Sequence, residues 1–151
     1  MNSWALDEWQ LMAWAANQPE RLAPMRVLVI EDDLWLQPVV TGVVLSVDSR
    51  IKIDWCTNAD QILADLDGNW RALLKYDLVV ADIFLPGSTS GLDLWKSCRL
   101  ACPNVQFLMM SGLSPEQFHA EMAGQRKCPP FLAKPFDVAE CRRLVEKLLQ
   151  Y

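Results

Sequence analysis

Apolar residues recur along the chain in short blocks, and between the blocks they thin out to a helical spacing. Arg26 to Ile30 (RVLVI) is a β-branched run ending in acid, the pattern of a strand buried on both faces. Ile51 to Cys56 alternates Ile51, Ile53 and Trp55 and predicts a second strand. Leu78 to Asp82 (LVVAD), Val105 to Met110 (VQFLMM) and the short Phe131 to Ala133 predict three more. Helical stretches separate them. Leu36 to Val47 predicts a helix in which Pro38 is tolerable only in the first turn. Asn58 can cap a helix through about Leu66, which Asp67-Gly68-Asn69 breaks and Trp70 to Lys75 resumes. Leu92 to Ala101 is closed by Pro103-Asn104. Ser114-Pro115-Glu116-Gln117 opens a helix with Ser114 as N-cap, Pro115 at the first position and Gln117 reaching back to the cap. Asp137 to Glu140 repeats the capping-box pattern and opens a last helix to about Gln150.

Five strand–helix pairs imply an α/β fold, a five-stranded parallel sheet with helices on both faces, doubly wound and flavodoxin-like. Such sheets bind ligands outside the carboxyl ends of their strands, near the switch in strand order. Strand one ends in Glu31-Asp32-Asp33, strand three in Asp82, strand four in Ser111-Gly112 and strand five in Lys134-Pro135. Carboxylates gathered on one rim repel unless a cation balances them. An all-oxygen set suits a hard ion, Mg²⁺ or Mn²⁺. Lys134 adds a positive point charge for a phosphoryl oxygen, and the Ser111 hydroxyl can donate to another. The combination suits phosphoryl transfer with a carboxylate as nucleophile.

Composition narrows the partners. The chain has 151 residues, 52% of them hydrophobic, enough for one domain with a full core. A net charge of −5 argues against a nucleic-acid domain that neutralises phosphates. Five cysteines without zinc-type spacing read as reduced thiols in a cytoplasmic protein, packed as small apolar residues, Cys98 and Cys102 being a structural i,i+4 pair. No uninterrupted apolar stretch spans a membrane, because Asp7, Glu8 and Gln10 divide the longest candidate. Lone His119 reads as a surface or core-edge residue, and Asp33 as a cap for the first helix rather than a metal ligand.

Four segments carry a resemblance: VLVIEDD (Val27 to Asp33), VVADIFLPG (Val79 to Gly87), MMSG (Met109 to Gly112) and FLAKPF (Phe131 to Phe136). In order and placement they resemble the receiver domains of two-component response regulators, over about Met25 to Tyr151. The resemblance implies that Asp82 is phosphorylated by a sensor histidine kinase or phosphotransfer protein. Lys134 and Ser111 would assist it. Asp32 would ligate Mg²⁺ directly, with Glu31 helping through water and the Phe84 backbone carbonyl as a third protein ligand beside Asp82. Ser111 would be the switch hydroxyl, Phe131 the switch aromatic, and Lys134-Pro135 a cis peptide. The protein would be a signalling phosphoacceptor rather than an enzyme, though one that assists its own phosphorylation and dephosphorylation. Its target would dock on the face of the fourth helix, fifth strand and last helix, where Phe131, His119, Met122 and Arg142-Arg143 are candidates.

The chain departs from the family pattern in places. The loop Pro86 to Gly91 (PGSTSG) has one residue more between its glycines, and Asn58 to Asp77 is about five residues long for a receiver. Phe84 and Leu113 occupy the variable positions over the acceptor; both are apolar and cannot hold an attacking water, which implies slow dephosphorylation. Residues 1–24 belong to no part of the pattern. Trp4, Trp9 and Trp14, with Leu6, Leu11 and Met12, predict a short helix that needs packing, on its own receiver or on a second copy as a homodimer. No output domain is expected in this chain. A flavin binder would want a Ser/Thr/Gly-rich turn where Glu31-Asp32-Asp33 stands, and a haloacid-dehalogenase-like phosphatase would want its nucleophile on strand one. The remaining alternative is a pseudo-receiver that is never phosphorylated and acts only as an interaction module.

Overall fold

The computed structural model describes residues 23–65 and 70–150. The Asp67-Gly68-Asn69 break and the helix and docking expected of the N-terminal segment lie outside the described residues. The elements are β1 (Arg26–Ile30), α1 (Leu36–Val47), β2 (Lys52–Cys56), α2 (Ala59–Asp65), a 3₁₀ helix (Trp70–Lys75), β3 (Leu78–Asp82), α3 (Gly91–Ala101), β4 (Gln106–Ser111), α4 (Pro115–Glu121), β5 (Phe131–Ala133) and α5 (Val138–Leu149). All strand pairs are parallel, in the order β2-β1-β3-β4-β5. The chain leaves β1 toward β2 and returns past it to β3, so the switch in strand order falls between β1 and β3.

Alternation along the strands builds two cores. Leu28, Ile30, Val79, Ala81, Phe107 and Met109 face one layer with Leu73, Leu94, Trp95 and Phe118. Val27, Val29, Leu78, Val80, Leu108 and Met110 face the other with Val40, Val44, Cys141 and Val145. Every β3 residue is buried, which is why the central strands read as unbroken apolar runs. Among the described residues no helix is long and apolar enough to cross a membrane.

The helix starts follow the capping chemistry. Ser114 Oγ accepts from Gln117 N–H (3.2 Å) and Gln117 Oε1 accepts from Ser114 N–H (2.8 Å), both arms of the expected box. Asp137 accepts from Ala139 N–H at 2.6 Å and Glu140 N–H at 3.3 Å, so the last helix has its N-cap but not the expected reciprocal arm from Glu140. Ser90 and Asp93 form a further capping box on α3, one that the Ser-x-x-Asp spacing encodes and the sequence reading passed over. Asn58 caps α2 through Gln61 N–H at 2.7 Å.

Two expectations need correction. Asp33 does not cap α1: its Oδ1 accepts from Trp35 N–H at 2.9 Å, closing a turn ahead of the helix, and α1 has no side-chain cap. Met122 is 2% exposed and packs in the core, so it is not part of a docking surface. Cys56, Cys98, Cys102 and Cys141 are buried thiols as expected, and Cys128 is exposed. His119 is exposed, with Nδ1 2.6 Å from the Pro115 carbonyl oxygen.

Candidate functional site

Register decides which side chains meet. Ile30 pairs with Ala81, so Glu31 and Asp82 come level at the carboxyl ends of adjacent strands across the switch point. Ser111 pairs with Ala133, which sets Lys134 just past the end of β5, its N–H donating to the Ser111 carbonyl at 2.7 Å. By the period of two, Glu31, Asp82 and Lys134 fall on the α1/α5 side of the sheet, and Ser111 on the side of α4.

Lys134 Nζ donates to Glu31 Oε2 and to Asp82 Oδ2, each at 2.5 Å. The Glu31 side chain is 1% exposed and that of Asp82 10%. Burial pushes the Glu31 carboxyl above its usual range, against the pull of Lys134 and the Asp33 N–H, which donates to Oε1 at 3.0 Å. Burial opposes the Lys134 charge too, but Asp82 and then Glu31 outweigh it and hold the ammonium above the ordinary lysine range. Two acids with one base leave a net negative pocket. Glu31, Asp32 and Asp82 can each bring an oxygen within 4.8 Å of the others, with Asp32 exposed on the solvent side. That is a hard, all-oxygen donor set with an open face, and it fits a divalent ion such as Mg²⁺.

The neighbouring backbone is fixed. Phe84 N–H donates to Asp82 Oδ1 at 2.9 Å, so the turn carrying the Phe84 carbonyl is bound to the Asp82 carboxylate itself. Ile83 N–H bonds to the Met110 carbonyl, and Gly91 N–H closes the loop on Ile83 at 3.1 Å. Ser111 is fully buried, and its Oγ accepts from Leu113 N–H at 3.2 Å. Phe131 stacks on Phe118, centroids 4.2 Å apart and 7° from parallel. Lys134-Pro135 is cis. On the expected docking face, Arg142 and Arg143 are exposed, and Arg142 pairs with Glu146 at 2.9 Å.

Sequence reasoning missed one contact at the site. Trp55 Nε1–H donates to the Glu31 carbonyl at 3.2 Å and braces the acidic turn from β2. The side chains are common types with no local signature, and only the fold assembles them.

A family model described as the response regulator receiver domain matches residues 27–146. The DNA-binding transcriptional regulator NtrC of Azospirillum brasilense is 27% identical over 123 residues, covering 82% of this chain and 24% of its own length. The chain thus spans about a quarter of that relative. The response regulator DrrB, a Thermotoga maritima OmpR/PhoB homolog, superposes with a TM-score of 0.68 at 16% identity, over 85% of this chain and 54% of its own. A CheY-like receiver domain protein from Methanospirillum hungatei gives 0.66 at 16% identity, over 85% and 95% of the two chains. The non-phosphorylated HemR receiver domain from Leptospira biflexa gives 0.61 at 22%, over 84% and 95%. At these identities the structural likeness is one of fold.

Proposed function

Because the chain belongs to the response regulator receiver domain family, we propose that Asp82 is its phosphoacceptor, loaded from a phosphohistidine of a sensor kinase or phosphotransfer protein. The observation that carries this reading is the double ion pair of Lys134 with Glu31 and Asp82, beside exposed Asp32. An Asp82 oxygen attacks phosphorus; the new O–P bond forms as the P–N bond breaks, and its electron pair stays on the donor imidazole. Glu31, Asp32, Asp82 and the Phe84 carbonyl would hold Mg²⁺. When bound, the ion offsets the charge spread over the phosphoryl oxygens. Lys134 neutralises a further oxygen, and Ser111 offers its hydroxyl from the opposite side of the sheet. The Phe131 ring lies beside that hydroxyl's strand and carries the change to a protein target on the α4–β5–α5 face.

The Phe84 and Leu113 side chains are apolar and offer no group to hold a hydrolytic water, which supports a phosphoryl group that turns over slowly. The protein is a signalling acceptor of the cytoplasm rather than an enzyme. The test is incubation with Mg²⁺ and acetyl phosphate followed by intact mass. One phosphoryl group is expected on the native chain and none on Asp82→Asn, whose amide keeps the shape but is a poor nucleophile. Equal labelling of both would refute the assignment, and a native chain that is never labelled would favour the pseudo-receiver.

A further inference from the structure

The loop after Asp82 is the longer one, and its extra length has a specific use. We propose that Asp60, at the start of α2, is a positioning residue that clamps this loop and so keeps the Phe84 carbonyl aimed at the ion held by the acids. The proposal rests on the acceptor reading. Asp60 Oδ2 accepts from Ser88 N–H at 2.6 Å, and Oδ1 accepts from Ser88 Oγ at 3.1 Å. The neighbouring Thr89 dipoles and the Ser88 bonds hold the acid below the usual carboxylate range. Gly87 makes the approach feasible. Its φ is +103°, and a Cβ there would lie 2.1 Å from Asp60 Oδ2, so any side chain would expel the carboxylate.

The clamp stands on a firm base. Ala59 and Ile62, flanking Asp60 on α2, are 0% and 9% exposed. The loop, by contrast, is wet: Phe84, Pro86, Gly87 and Ser88 are exposed. Leu85 packs on the core from one side, and Asp60 holds the other. The residues between Gly87 and Gly91 that exceed the receiver spacing by one are Ser88, Thr89 and Ser90, and Ser88 supplies both donors. An added residue would ordinarily loosen a loop; here the added length brings its own anchor. Partners that orient a metal ligand from behind change metal affinity by about 10–100-fold when removed.

The experiment titrates the full chain with Mg²⁺, without phosphodonor, and follows tryptophan fluorescence. Asp60→Ala is expected to weaken Mg²⁺ about tenfold. Phosphorylation by acetyl phosphate should fall at low Mg²⁺ and recover at saturating Mg²⁺, a KM-type loss that general destabilisation would not give. Ser88→Ala should act in the same direction and add little on top of Asp60→Ala, because both remove one interaction. In EDTA, the Ser88 amide should lose hydrogen-exchange protection in Asp60→Ala. Asp54→Ala on β2, which loses bonds from Tyr76 and from Arg26 of β1, is the control and should leave Mg²⁺ affinity unchanged. Native Mg²⁺ affinity in Asp60→Ala, or an equal loss in Asp54→Ala, would overturn the proposal. Unchanged Ser88 exchange would overturn the clamp alone. A native protein indifferent to Mg²⁺ would overturn the acceptor reading, and the carbonyl's role with it.

Discussion

Replacing Lys134 by Met would leave the methylene stem and remove the charge that Glu31 and Asp82 share. Breaking a buried pair by deleting one partner costs about 3–5 kcal/mol when the other charge is left uncompensated. Glu31, with 1% of its side chain exposed, has an escape: it can take up a proton. Starting from an ordinary value of about 4.3, keeping a Glu protonated at pH 7 costs about 3.7 kcal/mol, at 1.36 kcal/mol per pH unit. At pH 5 the same step costs about 1 kcal/mol. Protonation therefore caps the penalty, and the cap falls with pH. A Glu whose folded pKa is raised contributes stability that is complete below its unfolded pKa and is lost as pH rises through the folded one. Lys134→Met should accordingly trail the native protein by about 3 kcal/mol at pH 7 and about 1 kcal/mol at pH 5. Urea unfolding in EDTA at both values measures this. A deficit that is the same at both, or absent, would refute the view that Lys134 neutralises a buried Glu31.

Gly91→Ala should disturb the acceptor strand from behind, since a Cβ there would lie 2.0 Å from the Asp82 carbonyl oxygen, and backbone cannot swing aside. A loss of about 1–3 kcal/mol in melts and slower phosphorylation are expected; Gly112→Ala, with nothing within 4 Å, should be benign, and equal effects would refute the argument. At the other end of the molecule, burial and a 2.7 Å bond to Asp54 raise the Tyr76 phenol far above its usual range. Its contribution to stability is complete below the ordinary phenol value of about 10 and is lost as pH rises beyond it. In an ultraviolet titration one of the two tyrosines should ionise only as the chain unfolds, and two that ionise together in the folded protein would contradict this.

The apolar runs made β1, β3 and β4 legible, because a strand buried on both faces has no other way to read. The rim residues were legible for the same reason: each stands where such a run stops. What local pattern could not supply was anything between distant segments. Asp60 and Ser88 are 28 positions apart, and Trp55 and Glu31 24. Neither pair has a periodicity or a spacing to betray it. Arg26 of β1, Asp54 of β2 and Tyr76, in the turn just past the 3₁₀ helix, likewise form a bonded group, with nothing in their neighbourhoods to link them. Met122 misled for a subtler reason: the chain leaving α4 turns inward there, and its N–H bonds back to Phe118.

The two-sided sheet separates the site's chemistry by layer. Glu31, Asp82 and Lys134 stand over the core that α1 and α5 complete, whereas Ser111 and Phe131 adjoin the one that contains Phe118 of α4. These layers have the full thickness of the strands between them and meet only at the strand ends. A phosphoryl group on Asp82 that also took a bond from Ser111, as proposed, would therefore be a stitch over the hem of the sheet. On the proposed reading it would join the two bodies of packing, so that charge settled on one side would become position on the other.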